Sequence, residues 1–320
     1  MAAEFLEITD LTISAGGPRS EKTILGGLSL SIGEGRRVGL VGESGSGKTM
    51  AAASIVGLLP EGVRAESGSV KLDGRELLAL SEAHLRRVRG RVVSIIYQNA
   101  LSSLNPLIPV GRQIADVGRA HLPLSGSQAQ QRAIELMAAM GIPDAERRAL
   151  DYPHQFSGGM AQRVAIAMAL ICEPRLVIAD EPTTGLDATI QIQVLETIRK
   201  SISERGAALL LISHDLAVVE SMTDELIVLY AGVVLERGPT GEVMADPLNP
   251  YSQGLVASVQ QAGDRVSYIP GRIPEPGTVP RNSCPFAPRC PLVTERCSVE
   301  RPELREVRTG RWVACHNVEG

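Results

Sequence analysis

The chain has 320 residues, of which 44% are hydrophobic and only 3% aromatic, so it can bury a sizeable core built mainly from aliphatic side chains. Its formal net charge of -4 argues against nucleic acid as a partner, because phosphates attract a basic surface. The longest apolar run, at 164–172, is much shorter than the roughly 20 residues of a membrane span. Residues 1–10 also lack the basic start of a secretory signal. We therefore expect a folded protein of the cytosol that does not itself cross a bilayer.

Short aliphatic runs alternate with helical patterns along much of the chain. The runs that predict strands lie at residues 37–41, 92–96, 176–179, 208–212 and 225–229. Helices are expected to begin near Lys48 and Ala188, after the first and third of these runs. Strands that alternate with helices predict an α/β fold with a mostly parallel sheet covered on both faces.

The middle and the end of the chain break this alternation. Residues 98–171 contain three amphipathic helical patterns, at 111–121, 127–140 and 160–171, and no strand pattern, which indicates an inserted helical block. The stretch 238–320 is rich in proline and holds four of the five cysteines, which indicates a loop-rich extension with few regular elements. No internal repeat is visible, so we expect one copy of the main unit.

A glycine-rich loop follows the first predicted strand. Residues 42–49 read Gly-Glu-Ser-Gly-Ser-Gly-Lys-Thr and match the GxxxxGK[ST] pattern in the strand-to-helix setting that this pattern requires. Backbone N–H groups and the helix dipole can hold phosphates there, Lys48 can reach the β and γ oxygens, and Thr49 can offer a hydroxyl to Mg²⁺. The predicted nucleotide-binding residues of this phosphate loop are Gly42, Ser44, Gly45, Ser46, Gly47, Lys48 and Thr49. The alternative is an accidental loop of glycine and serine.

Two adjacent acids, Asp180 and Glu181, end the aliphatic run at 176–179. Side chains at the carboxyl ends of parallel strands face the ligand crevice. We therefore predict that Asp180 holds the Mg²⁺ shell and that Glu181 takes a proton from the attacking water or orients it. Such a pair is also typical of a helix cap or a solvated turn, but the companion phosphate loop favours catalysis.

Residues 156–163, Phe-Ser-Gly-Gly-Met-Ala-Gln-Arg, resemble the LSGGQ signature motif of ABC ATPases. Other motifs of that family follow in its order, because Gln98 resembles the Q-loop, residues 185–187 the D-loop and His214 the switch histidine. The resemblance implies a P-loop NTPase (RecA-like) core with an antiparallel β subdomain and a helical subdomain. The implied domains are a nucleotide-binding domain at 1–237, a helical subdomain inserted at about 98–171, and an extension at 238–320.

The resemblance also implies a role for each motif. Gln98 would contact Mg²⁺ or the lytic water, and His214 would bridge the γ-phosphate and Glu181. The residues that would cap a partner subunit's γ-phosphate or cross the dimer interface are Ser157, Gly158, Gly159 and Asp187. Each of these residues has a plainer interpretation as a polar loop residue, a flexible turn or a helix cap.

Further stretches narrow the resemblance. Residues 102–106, 152–155 and 249–252, with the cysteine-rich tail, look like the ATPases of oligopeptide, dipeptide and nickel importers. This implies ATP hydrolysis that powers the uptake of peptides or a related small solute. The implied partners are a second ATP-binding subunit, expected to be a different chain, two transmembrane permease subunits and an extracytoplasmic solute-binding protein. The implied location is the cytoplasmic face of the cell membrane.

Four cysteines of the extension, Cys284, Cys290, Cys297 and Cys315, have the spacing C-x5-C-x6-C-x17-C. Four thiolates suit either tetrahedral zinc or an iron–sulfur cluster, and the paired C-x2-C knuckles of common zinc ribbons are missing. Similarity to the tail of dipeptide-importer ATPases implies a [4Fe-4S] cluster, with Zn²⁺ and free thiols as the alternatives. Cys172 is expected to be a small core residue.

One feature of the family is missing. Most relatives place an aromatic residue upstream of the phosphate loop to stack on adenine, whereas residues 12–16 offer none. Because base stacking is worth about 1 to 3 kcal/mol, nucleotide affinity would be roughly five- to 150-fold weaker unless Ile13, Arg19 or another side chain covers the ring.

A second class of function stays open at this point, a soluble ABC ATPase that acts on nucleic acid or ribosomes. That class is expected to have two cassettes in one chain, long coiled-coil or zinc insertions, and a basic face. The sequence shows none of these features, which favours the importer subunit.

Overall fold

The computed structural model describes four stretches of the chain, residues 4–17, 22–98, 100–260 and 269–319. The contacts within the chain divide it into two compact units. The first contains Met1–Ala79 and Leu211–Gly320, and the second contains Leu80–Leu210. No helix in the described stretches is long and apolar enough to span a membrane.

Both units combine strands with helices. The described strands are β1 (Glu4–Ala15), β2 (Lys22–Gly33), β3 (Arg37–Val41), β4 (Val63–Leu72), β5 (Arg75–Glu76), β6 (Val93–Ile96), β7 (Leu176–Asp180), β8 (Ala208–Ile212), β9 (Glu225–Tyr230), β10 (Val233–Pro239), β11 (Arg305–Arg308) and β12 (Arg311–Val313). The described α-helices are α1 (Lys48–Ile55), α2 (Glu82–Val88), α3 (Ala100–Ser103), α4 (Val110–His121), α5 (Gly126–Ala139), α6 (Ala145–Arg148), α7 (Gly158–Leu170), α8 (Ala188–Arg205), α9 (Leu216–Met222), α10 (Thr240–Ala245), α11 (Pro250–Gln260) and α12 (Glu295–Val299).

The first unit contains strands of two sheets. One sheet is antiparallel, in the order β2-β1-β4-β5, and β1 pairs with both β2 and β4. In the other, β11, β12, β10, β9 and β3 lie side by side in that order. There β3 pairs with β9 in parallel, whereas β10 is antiparallel to both β9 and β12. The second sheet is therefore mixed.

Strands β3 and β9 form the apolar centre of that mixed sheet. All but the first residue of each strand are buried, as expected for aliphatic strands covered on both faces. An ion pair fixes the point where both strands begin, because the Arg37 guanidinium donates to Asp224 Oδ1 at 2.6 Å and the Arg37 backbone N–H donates to Oδ2 at 3.1 Å. The strand that leads into the phosphate loop is thus anchored at its start.

The C-terminal extension adds regular structure to this sheet. Strands β11 and β12 form a short antiparallel pair, and β12 joins the edge of β10 with Val313 opposite Glu236. The expectation of few regular elements was therefore wrong for residues 305–313. The two short strands are rich in charged residues, and the pairing of β12 with β10 bridges more than 70 residues of chain, so no local pattern indicated them.

In the second unit, β6 and β7 pair in parallel, and residues of β7 are buried along its whole length. Helix α7 carries a largely apolar sequence and buries Ala161, Val164 and Ile166, each at 0% exposure. Helices α4 and α5 pack against each other and against α7. The observed helices are Val110–His121 and Gly126–Ala139. Each of their ends lies within one residue of the predicted end.

Candidate nucleotide-binding site

The phosphate loop connects β3 to α1 in the first unit. Gly47 caps α1 in the left-handed conformation, with φ of 103°, and Gly42 has φ of 154°. A Cβ atom at position 42 would lie 2.1 Å from the Leu229 carbonyl oxygen, and one at position 47 would lie 2.5 Å from Leu25 Cδ2. Only glycine fits these two positions, because any side chain would collide with the neighbouring strands.

The Lys48 ammonium group is held inside the loop. It donates to the carbonyl oxygens of Gly42 at 2.7 Å and Glu43 at 3.0 Å, and to Ser46 Oγ at 3.4 Å. Lys48 is only 6% exposed and Ser46 is fully buried, whereas Thr49 is exposed. The loop thus combines a helix N-terminus with a positive charge at its centre, an arrangement suited to binding phosphate.

His214 follows β8 and is also part of the first unit. It lines a cavity of about 630 Å³ together with Val41, Gly42 and Glu43. The next residue, Asp215, caps α9 by accepting hydrogen bonds from the backbone N–H groups of its first turn. Asp215 therefore serves as a helix cap, and His214 shares a cavity with the phosphate loop.

Gln98 and Glu181 are hydrogen-bonded to each other in the second unit. Gln98 Nε2 donates to Glu181 Oε2 at 3.1 Å, and Thr184 Oγ1 donates to the same oxygen at 2.8 Å. Glu181 has a positive φ of 47°, which is uncommon for a residue other than glycine and typical of functional turns. The Q-loop glutamine and the predicted catalytic glutamate are thus neighbours, and Thr184 is a contact that the sequence had not indicated.

Asp180 ends β7 and is 5% exposed. Tyr97 is near it: burial raises the pKa of the Tyr97 phenol, the charge of Arg89 opposes this effect, and the charge of Asp180 adds to it. A buried carboxylate at the carboxyl end of a strand is suited to ordering the water shell of a divalent cation. Tyr97 also escaped prediction, since an aromatic residue after a strand carries no specific signal.

The signature residues stand at the N-terminus of α7 in the same unit. Ser157 caps this helix by accepting the Met160 N–H at 3.3 Å. A Cβ atom on Gly158 would meet nothing within 4 Å, whereas one on Gly159 would lie 2.6 Å from Ile190 Cγ2. Ser157 and Gly158 are exposed, so a hydroxyl group and a helix N-terminus are presented at the protein surface.

Asp187 caps α8 by accepting the Ile190 N–H at 3.0 Å, which is the plainer role foreseen for it. Of the side chains expected to cover adenine, Ile13 is fully buried and cannot stack on a base. Arg19 lies outside the described residues.

None of the four cysteines of the extension forms a disulfide. Within the described stretches, no group of three or more His, Cys, Asp or Glu side chains is arranged to hold a metal ion. The expectation of a metal-binding extension is therefore not supported by this arrangement. Burial raises the pKa of Cys284 to about 11, and it also raises the pKa values of Cys290 and Cys315. Cys172 is buried, as expected.

Comparisons with known proteins agree with this set of motifs. Residues 25–184 match the ABC transporter family, and residues 235–297 match the C-terminal region of oligopeptide/dipeptide transporters. The oligopeptide transport ATP-binding protein AppD of Bacillus subtilis is 42% identical over 293 residues, which cover 90% of this chain and 89% of AppD. OppD of Escherichia coli, another oligopeptide transport ATP-binding protein, is 40% identical over 317 residues, 98% of this chain and 93% of OppD.

Solved structures agree as well. The dimeric ATP-binding cassette MJ0796 with bound ADP and Pi superposes with a TM-score of 0.67 at 26% identity, covering 73% of this chain and 98% of the cassette. The phosphate loop, the Gln98–Glu181 contact and the exposed Ser157 thus occur in a chain with the sequence and the fold of a transporter ATPase. The chain belongs to the ABC transporter family, as a subunit that contains its ATP-hydrolysing cassette.

Proposed function

We propose that this subunit binds and hydrolyses ATP to power a membrane importer of oligopeptides or a related small solute, such as a nickel complex. The names of the relatives support oligopeptides as the transported solute. The hydrogen bond between Gln98 and Glu181 is the observation that best supports ATP hydrolysis. A glutamate next to a glutamine at a strand end can accept a proton from water while the amide fixes its orientation. The alternative function, a soluble ABC ATPase that acts on nucleic acid or ribosomes, has no comparable support.

Each residue then has a defined role. In the first unit, Lys48 would bind the β- and γ-phosphates and Thr49 would ligate Mg²⁺, which neutralises phosphate charge when it is bound. In the second unit, Asp180 and Gln98 would hold the Mg²⁺ shell, and Glu181 would accept the proton of the attacking water. The remaining nucleotide contacts are proposed for the phosphate-loop residues Gly42, Ser44, Gly45, Ser46 and Gly47, and His214 is proposed to contact the γ-phosphate.

We propose that a second ATP-binding subunit completes the site, and the exposure of the signature supports this proposal. Ser157 and Gly158 are exposed at a helix N-terminus, where a hydroxyl group and backbone N–H groups can bind an anion. We therefore propose that Ser157, Gly158 and Gly159 cap the γ-phosphate of a nucleotide bound by the partner, with Asp187 at the interface. The partner is proposed to be a different chain.

The complete importer would contain two permease subunits and an extracytoplasmic solute-binding protein, with this chain at the cytoplasmic face of the membrane. We assign residues 1–237 to the nucleotide-binding domain, about 98–171 to its helical subdomain, and 238–320 to the extension. The match of residues 235–297 to the oligopeptide/dipeptide transporter C-terminal region supports the last boundary.

The test is Glu181→Gln in the assembled transporter. ATP turnover by the site of this chain should fall by at least about 10²-fold, the usual contribution of a general base, while ATP binding persists. Glu196→Gln makes the same chemical change at an exposed position of α8 and should leave turnover unchanged. Equal turnover of the two variants would refute the assignment of Glu181.

We also propose that the extension holds a [4Fe-4S] cluster. The support is the four-cysteine set of the extension and one contact within it, because the Cys284 backbone N–H donates to the Cys297 carbonyl oxygen at 2.9 Å. Four thiolates are a ligand set that suits such a cluster, and its binding would displace the protons of the cysteines. Iron and inorganic sulfide should be found after anaerobic purification and lost in a Cys297→Ser variant but not in a Cys172→Ser variant. Protein that contains zinc without iron would refute the cluster.

A further inference from the structure

We propose that Arg289, in the C-terminal extension, is a positioning residue for the phosphate loop and acts on ATP binding through Glu43. The inference rests on the proposed ATPase function and adds to it a residue outside the cassette motifs. Arg289 lies between Cys284 and Cys290 in the sequence, 246 residues from its partner in the loop.

The Arg289 guanidinium group is held on every side. Nη1 donates to Glu43 Oε2 at 2.7 Å and Nη2 donates to Glu43 Oε1 at 3.0 Å, which makes a two-point ion pair. The remaining hydrogens go to Tyr230 Oη at 3.3 Å, the Ile269 carbonyl oxygen at 3.0 Å and the Pro270 carbonyl oxygen at 2.7 Å. The Arg289 side chain is only 6% exposed. All five donors of the group are thus engaged, and none is left to bind a nucleotide directly.

Glu43 connects this ion pair to the phosphate-binding lysine. Its carboxylate accepts from Arg289, its backbone N–H donates to Tyr251 Oη at 2.9 Å, and its carbonyl oxygen accepts from Lys48 Nζ at 3.0 Å. The same carbonyl oxygen accepts the Ser46 N–H at 3.2 Å. One residue of the loop therefore has both its side chain and its backbone bound by the extension, while its carbonyl oxygen positions the ammonium group.

An aromatic cluster supports the pair from the side of the extension. The ring centroids of Tyr230, Tyr251 and Phe286 are 4.6 to 5.3 Å apart, in edge and tilted contacts. Both tyrosines are fully buried, and Phe286 is 3% exposed. The guanidinium carbon of Arg289 lies 5.7 Å from the Tyr230 ring centre. Rings packed in this way restrict the rotamers of Arg289 and Tyr251, so the contacts with Glu43 are held in place.

Loss of Arg289 should affect the binding of ATP more than its hydrolysis. Without Arg289 the Glu43 carboxylate, whose side chain is 28% exposed, can turn toward water, and the first turn of the loop loses one of its two tethers. Lys48 would then lose one of its two carbonyl partners, the Glu43 oxygen, for part of the time, and phosphate affinity would fall. Charge-assisted hydrogen bonds of this kind are worth enough for about a tenfold effect. The proposed catalytic glutamate, Glu181, is hydrogen-bonded to Gln98 and Thr184, and we expect turnover at saturating ATP to change little.

The experiment measures the Kd for ATP of the full chain and the kcat and KM of the assembled transporter. In Arg289→Met, Kd and KM for ATP should rise about tenfold, with kcat within a factor of about two. The matched control is Arg296→Met, which removes an exposed arginine of the same extension that is paired with Glu300, and it should leave Kd unchanged.

The variant Glu43→Gln tests whether Arg289 acts on the phosphate loop through Glu43. If Arg289 acts through Glu43, the double variant should bind ATP no more weakly than the weaker of the two single variants. Effects on Kd that multiply in the double variant, or an unchanged Kd in Arg289→Met, would overturn the proposal. Should Arg289→Met fail to fold, Arg289→Lys keeps the charge without the two-point contact and must itself raise Kd. Wild-type protein that neither binds nor hydrolyses ATP would refute the proposed function, whereas normal ATP binding by Arg289→Met would refute only the role of Arg289.

Discussion

The attachment of the extension to the mixed sheet depends on a buried ion pair, Glu236–Arg311. Arg311 Nη2 lies 2.7 Å from Glu236 Oε1, and the two side chains are 2% and 0% exposed. The Glu236 carboxylate also accepts the backbone N–H groups of Leu248 at 3.0 Å and Asn249 at 2.9 Å. Glu236 thus joins β10 to the neighbouring strand β12 and to the segment that leads into α11.

Glu236→Gln should lower the free energy of unfolding by about 3 to 5 kcal/mol. Removing Glu236 leaves the buried Arg311 charge with only the exposed Glu242 carboxylate, 3.9 Å from Nη1, and the cost of that poorly compensated charge dominates the loss. The glutamine side-chain oxygen can still accept one of the backbone N–H groups of Leu248 and Asn249. The expected loss of about 3 to 5 kcal/mol therefore does not include the loss of both of these hydrogen bonds. For a chain of this size the change corresponds to a melting temperature lower by on the order of 10 °C.

The assay is calorimetric unfolding of the purified chain, with Glu7→Gln as the control. Glu7 is an exposed residue of β1, so its change should alter stability by less than about 0.5 kcal/mol. The double variant Glu236→Gln/Arg311→Met removes both charges and should be more stable than Glu236→Gln alone. A Glu236→Gln protein within about 1 kcal/mol of wild type would show that this pair does not anchor the extension.

Two other predictions concern the signature and the start of the phosphate-loop strand. Gly159→Ala should lower the melting temperature because its methyl group would meet Ile190 at 2.6 Å, whereas Gly158→Ala, with nothing within 4 Å, should melt like wild type; equal melting would contradict the packing. Burial favours a higher pKa for Asp224, but hydrogen bonds from Arg37 outweigh it and hold the pKa below its ordinary value. The stability that this pair adds is therefore present above pH about 4 and lost as pH falls further. Asp224→Asn should be less stable than wild type at neutral pH, and its stability should fall less as the pH is lowered below about 4. The same dependence of stability on pH in both proteins would refute the role of this pair.

Local sequence was sufficient for the elements that lead to the site. The strands predicted at 37–41 and 208–212 are observed as Arg37–Val41 and Ala208–Ile212, because unbroken aliphatic runs of that length bounded by polar residues are typical of buried strands. The phosphate loop was equally predictable. Positive φ angles and close contacts at positions 42 and 47 require glycine there. The glycine pattern in the sequence therefore predicts the local backbone geometry directly.

Contacts between distant parts of the sequence were not predictable from any local pattern. Strand β12 has only three residues, with a half-exposed Trp312, and it is recognisable as a strand only beside β10. The pair formed by Arg289 and Glu43 spans 246 residues, and each partner by itself looks like an ordinary charged loop residue. The hydrogen bond from Thr184 to Glu181 likewise depends on the shape of a turn, which composition does not specify.

The central claim is that two subunits close on shared ATP, each providing half of every site. In the assembled transporter, Lys48→Ala should disable the site formed by this chain's phosphate loop, and Ser157→Ala should weaken the site that this chain completes for its partner. ATP turnover by the double variant should therefore fall to background, below that of either single variant. A double variant that hydrolyses ATP at the wild-type rate would contradict the account.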